Sequence, residues 1–449
     1  MCENEKKKSH SIEMITGSLW KNILLFSLPL MGSQVLEVLF NLSDVAVVGR
    51  FADYMALGAV GSTTLLVTLF TGILIGMGAG VNVRVAHELG AGNKKGTEET
   101  IHTSLLLCAI TGLLVCAICL LFSGRMLSMM NTKPELIDQA ILYMKIYSLG
   151  MPAMAVYNFG NGVLSAIGDT KRPLIYLSIA GVVNVLLNLF FVIGCKMDVA
   201  GVALASIIAQ YLSAILILRA LAKMGGDYAL RMSELKFDKK MAKYIIQIGL
   251  PAGLQNGIFQ VANLFIQAGV NTFDATMVAG NSAAANADAL LYDSMAAFYT
   301  ACSSFIAQNF GARKKKRILQ TYLICLFYSF ITSLVLGVGI YLARYPFLYL
   351  FTSDKAVVEA GITRLSIMAL SYSASAFMDA SIAASRGLGR QLFLLLLLLW
   401  DHAYFVSSGY IRYSPISIPS SRYTSYMYSL GESLQLRKIY ISSMFIAIH

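Results

Sequence analysis

Repeated apolar segments of about 20 residues or more constrain the fold of this chain more than any other feature. They fall near residues 20–45, 55–83, 101–122, 136–160, 174–194, 199–221, 241–268, 277–309, 318–342 and 356–385, and another begins at residue 391. Of the 449 residues only 13% are charged, about half the proportion in a soluble protein. The sequence therefore predicts an all-α polytopic membrane protein, and it excludes a soluble enzyme, a secreted disulfide scaffold and a disordered regulator.

Basic residues concentrate in alternate loops between these segments. They are the N-terminal lysines, Lys94 and Lys95, Lys171 and Arg172, the basic residues of 223–243, the cluster 313–317, and Arg386 and Arg390. Together with Lys21, Arg84 and Arg219 at the adjoining helix ends, about 23 of the 35 Lys and Arg residues lie on this side, which is the positive-inside pattern. We therefore expect a multi-pass protein of the cytoplasmic membrane with its N-terminus inside. The net charge of +11 indicates topology and contact with the lipid bilayer, not a nucleic-acid partner.

The two halves of the chain repeat each other. A shift of about 222 residues superposes Leu28-Pro29 on Leu250-Pro251, and a shift of about 221 superposes Gly90-Ala91 on Gly311-Ala312 and Gly168 on Gly389. We interpret the protein as two repeated six-helix bundles around a central cleft, inserted the same way round. The predicted boundaries are a cytoplasmic tail at 1–17, a first bundle at 18–222, a cytoplasmic linker at 223–240 and a second bundle at 241–400.

The pattern is lost near the end of the chain. Residues 401–449 hold 11 serines and 7 tyrosines, and no apolar run there is long enough to span a membrane. The second bundle is therefore expected to be incomplete, with four helices and the start of a fifth. A reading-frame change near 391–401 is our first interpretation of this stretch, and a diverged C-terminus or an exposed tail are the alternatives. Resequencing tests the first, because a downstream frame should encode two apolar helices.

Polar residues inside the predicted spans are candidates for function, because each buried charge costs about 2.5–3.5 kcal/mol on insertion scales. The first span carries a polar stripe that consists of Gln34, Glu37, Asn41 and Asp44. The seventh span carries the amide counterpart of this stripe, which consists of Asn256, Gln260 and Asn263. The fifth span has Asn184 and Asn188 one turn apart, and the sixth has Ser206. Such oxygen-rich groups suit a small cation or a proton. Interhelical hydrogen bonding alone is the plainer alternative.

The second half offers three further carboxylates, Asp288, Asp293 and Asp379. We expect them to line a cavity for cationic substrates, although Asp288 and Asp293 could instead lie solvated near a helix end. Pro29 and Pro251 occupy equivalent positions, where each permits a helix kink. The glycines Gly76, Gly78 and Gly80 predict close helix packing, not a phosphate loop. The scattered histidines suggest no metal cluster.

Several motifs together resemble the multidrug and toxic compound extrusion (MATE) family. They are Leu28-Pro29, Asn41-Leu42-Ser43-Asp44-Val45, Gly90-Ala91-Gly92-Asn93, Gly168-Asp169-Thr170, the run 201–206 and Gly387-Leu388-Gly389-Arg390. The resemblance covers about residues 18–390. It implies a monomeric antiporter that exports small organic cations in exchange for Na⁺ or H⁺ and needs no other cofactor or metal.

The resemblance also implies a cation site, made by Asp44, Asn184, Asn188 and Ser206. Family members often have aspartate where this chain has Asn188. Another branch of the family uses a seventh-helix glutamate, where this chain has Gln260, and Asp379 is similar to that branch's tenth-helix acid. Three alternatives stay open: a flippase for lipid-linked substrates, which would favour a more basic cleft; an intramembrane enzyme, for which no nucleophile–base pair is visible; and a truncated, non-functional copy.

Overall fold

The computed structural model describes residues 11–51, 54–130, 132–225, 230–231, 235–270 and 272–392. Inside its helices, the side chains at 41, 42, 45, 46, 48–50, 54, 57, 261, 262, 264–266, 268, 369 and 370 lie outside that description. The regular structure in the described ranges is helical, which confirms the predicted all-α class. The expected aberrant stretch at 401–449, and most of the segment where we placed the frame change, fall outside the described residues.

Twelve helices follow one another along the described chain. They are α1 (Leu19–Phe51), α2 (Tyr54–Gly90), α3 (Lys94–Met129), α4 (Pro134–Ser148), α5 (Met151–Ala166), α6 (Lys171–Leu189), α7 (Asp198–Ala222), α8 (Lys239–Val270), α9 (Ala275–Gly311), α10 (Lys315–Leu342), α11 (Arg344–Tyr349) and α12 (Lys355–Gly387). A π-helical turn, Phe190–Gly194, continues α6. Pro29 and Pro251 lie inside the continuous helices α1 and α8, so their role as kinks stays a prediction.

Six of the described helices are long and apolar enough to cross a membrane: α1, α2, α3, α6 with its π-helical turn, α7 and α10. A seventh span is counted if the two parts of α12, which meet at a bend of 47°, are taken as one. Large apolar side chains point outward from these helices, among them Leu121 of α3 at 75% exposure and Val335 of α10 at 63%. Such an apolar exterior suits lipid, and the chain is a multi-pass membrane protein.

The helix boundaries themselves repeat. Tyr54 and Ala275 begin α2 and α9, and Gly90 and Gly311 end them, each pair separated by 221 positions. The same separation relates the starts of α3 and α10 at Lys94 and Lys315. It also relates the start of α4 to that of α12, at Pro134 and Lys355, and the end of α5 to that of α12, at Ala166 and Gly387. The structure therefore confirms the internal repeat at the offset that the sequence motifs predicted.

The chain divides into two compact units. The first comprises residues 1–264 and 307–315, and the second comprises residues 265–306 and 316–449. The first unit has a continuous apolar core to which α2, α3, α4, α5 and α7 all contribute. The second has a smaller core between α9, α10, α11 and α12. The predicted domain boundaries stay a prediction, since this division follows packing rather than the repeat.

Close glycine contacts hold α2 against its neighbours in the first unit. A Cβ on Gly80 would lie 2.6 Å from the carbonyl oxygen of Ile245 in α8, and a Cβ on Gly78 would lie 2.7 Å from that of Asn158 in α5. Gly253 of α8 is as tightly placed, since its Cβ would lie 2.7 Å from the Cα of Ile73. These distances confirm the close packing predicted for the glycine series in this span.

Candidate functional site

Four polar side chains predicted as one cation site come together in the first unit, and we call them the Asp44 cluster: Asp44 of α1, Asn184 and Asn188 of α6, and Ser206 of α7. The Asn188 amide donates through Nδ2 to Oδ1 of Asp44. The same Nδ2 lies 3.3 Å from Oδ1 of Asn184, and Nδ2 of Asn184 lies 3.4 Å from the Ser206 hydroxyl oxygen. A hydrogen-bonded path therefore runs from the carboxylate across three helices.

Backbone packing of α1 along α6 places these groups opposite each other. The Thr170 hydroxyl donates to the carbonyl oxygen of Phe26 at 3.0 Å, at the start of α6. Farther along, Phe40 lies against Gly181, where any Cβ would overlap the phenyl ring. Both contacts advance in the same direction on both helices, so α1 and α6 run side by side. Farther along the same two helices, Asp44 lies opposite Asn188.

The cluster is buried, although a path to Asp44 remains. Asn188 is 0% exposed, and Asn184 and Ser206 are each 6% exposed, whereas Asp44 is only partly buried. Oδ1 of Asn188 finds no donor among the described residues. A buried amide oxygen without a donor costs free energy, about 1–3 kcal/mol, unless a cation or a polar group binds it. The arrangement thus offers an acceptor oxygen to which none of the described groups donates.

The donor set fits a small hard cation or a proton. A carboxylate, amide oxygens and a hydroxyl are hard ligands, which Na⁺ accepts and thiol-preferring metals do not. Among the described residues no group of three or more His, Cys, Asp or Glu side chains could hold a metal ion. Asp44 supplies the charge, Asn188 and Asn184 supply amide oxygens, and Ser206 supplies a hydroxyl.

Two tyrosines of α4 form an aromatic wall near the carboxylate. The rings of Tyr143 and Tyr147 stack with centroids 5.7 Å apart and planes inclined by 21°. Both lie close enough to Asp44 to interact with it electrostatically, and Glu37 acts on Tyr147 in the same way. No pattern in the sequence singles out these tyrosines. Tyr143 is 7% exposed and belongs to the apolar core of the first unit, with Tyr147 packed against that core, so the wall is a fixed part of the surroundings of Asp44.

Among the described side chains, those of Gln34 and Glu37 in α1 and of the α8 amides take no part in the hydrogen bonds given above for the Asp44 cluster. Gln34 is half-buried and Glu37 is exposed, while the Asn41 side chain lies outside the described residues. On α8, Asn256 and Gln260 are half-buried and Asn263 is exposed. Asn256 faces α2, since a Cβ on Gly72 would lie 3.4 Å from its Cβ. The structure therefore gathers the residues of α1, α6 and α7 but not the α8 amides.

An ion pair involving one predicted carboxylate is the main feature of the second unit. Asp288 of α9 pairs with Arg364 of α12, whose guanidinium also donates to the side-chain oxygen Oδ1 of Asn281. The two charged side chains are 16% and 18% exposed. Asp288 is therefore already neutralised within its own unit. The sequence analysis missed Arg364, although an arginine inside a predicted span is itself a signal that a counter-charge faces it.

The two remaining carboxylates of the second unit have different surroundings. Asp379 is buried at 8% exposure and interacts electrostatically with Arg386 and Tyr292. Asp293 of α9 is half-buried. Asp379 thus also has a cationic neighbour on its own helix, which the sequence analysis did not pair with it. Asp44 differs from Asp288 and Asp379, because its partners are neutral amides and a hydroxyl.

Comparisons with known proteins agree with this architecture. The family model MatE matches residues 29–190 and 251–400. A Thermotoga maritima protein named "Probable multidrug resistance protein NorM" is 25% identical over 384 residues, covering 83% of this chain and 81% of its own. A Shewanella oneidensis protein named "FAD transporter" is 24% identical over 352 residues, covering 77% of each chain.

A solved structure gives the same fold. It is described as the outward-facing conformation of a multidrug resistance MATE family transporter of the MOP superfamily. It superposes with a TM-score of 0.89 at 22% identity, over 98% of this chain and 99% of its own. The family-model match ends at residue 400, next to the point where the sequence loses its repeat.

Proposed function

Because the chain belongs to the MATE family of multidrug efflux transporters, we propose that it is an antiporter that exports organic cations in exchange for Na⁺ or H⁺. The observation that carries this proposal is the Asp44 cluster, a carboxylate held by neutral groups beside an aromatic wall. One negative charge without a fixed counter-charge can bind either a coupling ion or a cationic substrate. Competition for one site is sufficient to couple their movements.

We place the protein in the cell membrane as a monomer, with its N-terminus inside. The loops that carry Lys94 and Lys95, Lys171 and Arg172, and the cluster 313–317 then face the cytoplasm, as the positive-inside rule favours. Alternating access would expose the cleft, and with it the Asp44 cluster, to each side in turn. The coupling ion is cargo in this scheme, not a resident cofactor.

The two ends of the Asn188 amide, its NH₂ group and its oxygen, provide a structural basis for the coupling step. In the present arrangement its NH₂ group faces Asp44, and its oxygen has no donor among the described residues. A half-turn of the amide would aim its oxygen at a cation bound to Asp44 instead. Asn188 would therefore donate a hydrogen bond to the ion-free carboxylate, and its oxygen would coordinate the ion once the ion is bound. In both arrangements the Asp44 carboxylate has a polar or charged partner, as a buried charge requires.

Two alternative functions are less well supported. A flippase for lipid-linked pyrophosphates needs basic groups for its cargo. The Asp44 cluster is acidic and amide in character, and Arg364 is bound to Asp288. Transport of a dinucleotide, which the name of the Shewanella relative indicates for that protein, would face the same charge problem. The matched family model and the multidrug resistance relative named above indicate a transporter, not an enzyme.

Ethidium efflux from an efflux-deficient host tests the proposal. The parent chain should lower cellular ethidium, and Asp44→Asn, which keeps the size of the side chain, should abolish this export at equal expression. Asp138→Asn is the matched control, because Asp138 is an exposed carboxylate on α4. Repeating the assay without Na⁺ and with a collapsed proton gradient identifies the ion. Undiminished export by Asp44→Asn would overturn the proposal.

A further inference from the structure

The segment before α1 is seated against the rest of the first unit, and we call residues 11–17 the N-terminal strap. The Ile12 amide donates to the carbonyl oxygen of Gly168 at 3.1 Å. Asn309 donates through Nδ2 to the carbonyl oxygen of Met14 at 3.2 Å, and Nζ of Lys314 lies 3.1 Å from the carbonyl oxygen of Ile15. Three successive parts of the strap are therefore held by loops and helix ends far away in sequence.

The seat is specific to this segment. Met14 is 1% exposed, and Asn309, whose amide bonds the Met14 carbonyl oxygen, is 0% exposed, so this contact is fully buried. Gly168 has a φ of +89°, which only glycine adopts easily. A Cβ there would lie 2.8 Å from the Ile12 amide nitrogen, so glycine also makes room for the strap.

The strap connects parts of both repeats. It leads directly into α1, which carries Asp44, and Gly168 lies just before α6, which carries Asn184 and Asn188. Asn309 and Lys314 lie at and beyond the end of α9, a helix of the second repeat. Gln308 adds a direct bond of the same kind, donating through Nε2 to the carbonyl oxygen of Ala166 at 2.6 Å. The helices of the Asp44 cluster are thus tied, at the end with the basic loops, to the second repeat.

We propose that the N-terminal strap is a latch that, docked as it is here, holds the basic end of the first unit closed. Opening that end requires α9 to part from the loop before α6, which breaks the bonds of Asn309 and Lys314 to the strap. These bonds are to main-chain carbonyl oxygens, so no charged pair has to be broken, and the latch can release and reseat. Met14 would leave its pocket in the same step.

This inference rests on the proposed function, since such a latch matters only to a transporter that opens at its basic end. The competing explanation is that the strap is a static part of the fold. The two differ in one respect. A latch sets how often the basic end opens, whereas a static strap affects only whether the protein folds.

Labelling of a buried reporter cysteine measures that opening directly. Ala166, which is 0% exposed beside the strap's seat, is replaced by cysteine in the full chain after the native cysteines are exchanged for serine. A membrane-impermeant maleimide is then applied from the cytoplasmic side in inside-out vesicles. Gly168→Ala and Met14→Ser, each added singly, should raise the labelling rate at least threefold.

Gly92→Ala is the matched control. Gly92 has a φ of +68°, close to that of Gly168, but a Cβ there meets nothing within 4 Å. It introduces similar backbone strain without touching the strap, so its labelling rate should equal that of the parent. Labelling rates for Gly168→Ala and Met14→Ser equal to the parent rate, in folded protein, would overturn the proposal.

A measurement on the unaltered chain covers the case in which both variants fail to fold. Hydrogen–deuterium exchange in nanodiscs should show peptides covering 11–17 and 307–314 opening together, at one common rate. Independent exchange of the two segments would overturn the latch. Both readouts are separate from transport: a parent that exports no ethidium contradicts the proposed function, while labelling and exchange still decide the latch.

Discussion

Gly90, the last residue of α2, and Gly311, the last residue of α9, lie where the ends of the two helices cross with their backbones in contact. The contact is symmetric. A Cβ on Gly90 would overlap the carbonyl oxygen of Gln308 and lie 3.1 Å from the amide nitrogen of Ala312. A Cβ on Gly311 would overlap the carbonyl oxygen of His87 and lie 3.0 Å from the amide nitrogen of Ala91. Gln308 and His87, and Ala312 and Ala91, are each separated by 221 positions, so the two glycines make equivalent contacts.

Because the backbones touch at this crossing, adding a methyl group at Gly90 or Gly311 should lower the free energy of unfolding more than adding one at Gly61. Gly90→Ala and Gly311→Ala force two backbones apart, and we expect each to destabilise the protein by about 1–3 kcal/mol. Gly61→Ala, in the same helix as Gly90, meets nothing within 4 Å and should be neutral or stabilising by up to about 1 kcal/mol. Thermal unfolding followed by size-exclusion chromatography checks this, and equal midpoints for all three variants would refute it.

The Asn188 amide should control how the coupling ion is bound. Asn188→Leu keeps much of the volume but leaves Asp44 without its donor and a cation without the amide oxygen, so ethidium export should fall at least tenfold. Asn188→Asp adds a second carboxylate to the cluster. If Na⁺ is the coupling ion, the Na⁺ concentration that gives half-maximal export should then fall at least threefold. Export by Asn188→Leu at the parent rate would show that the amide has no part in coupling.

The contact between Gly181 and Phe40 should be necessary for the Asp44 cluster to form. Gly181→Ala pushes α1 away from α6 just before Asp44 meets Asn188, so we expect export to fall at least fivefold. Adding Phe40→Leu makes room for the new methyl group and should restore part of the activity. The comparison is made at equal expression in the ethidium assay. A double variant no better than Gly181→Ala alone would contradict this explanation.

The ion pair of the second unit is expected to be structural, and a double-mutant cycle tests that. Arg364→Gln leaves the Asp288 carboxylate uncompensated and should destabilise the protein by about 3–5 kcal/mol. Adding Asp288→Asn removes the lone charge, so the double variant should return to near the parent stability and export. Removing the pair of Lys95 with Glu99, at 3.9 Å with Lys95 86% exposed, should change stability by less than about 1 kcal/mol. A double variant that is stable but inactive would instead assign the pair a role in transport.

Much of the fold followed from patterns that a sequence carries locally. Apolar length gave the helices, and the offset between motifs such as Gly90 and Gly311 gave the repeat that the helix boundaries confirm. The members of the Asp44 cluster lie on three helices far apart in sequence. Their grouping came from the family resemblance, and the hydrogen bonds from Asn188 and Asn184 are consistent with it.

What the sequence did not predict depends on contacts between distant segments. Nothing local to Asp288 shows that Arg364 neutralises it, since their pairing depends on how α12 packs against α9. The sequence gives no local signal for the strap either, because Met14 is buried and its carbonyl oxygen is bonded by Asn309, near the far end of α9. Asn256 belongs to a polar stripe equivalent to that of α1, yet it faces the glycines of α2.

Ion-driven ethidium transport by the purified chain in liposomes tests the central claim most directly. An imposed Na⁺ or H⁺ gradient should drive ethidium against its own gradient in vesicles carrying the parent chain, and the same gradient should drive none with Asp44→Asn. Asp138→Asn should behave as the parent does. Equal ion-driven transport by the parent and by Asp44→Asn would contradict the assignment of coupling to the Asp44 cluster.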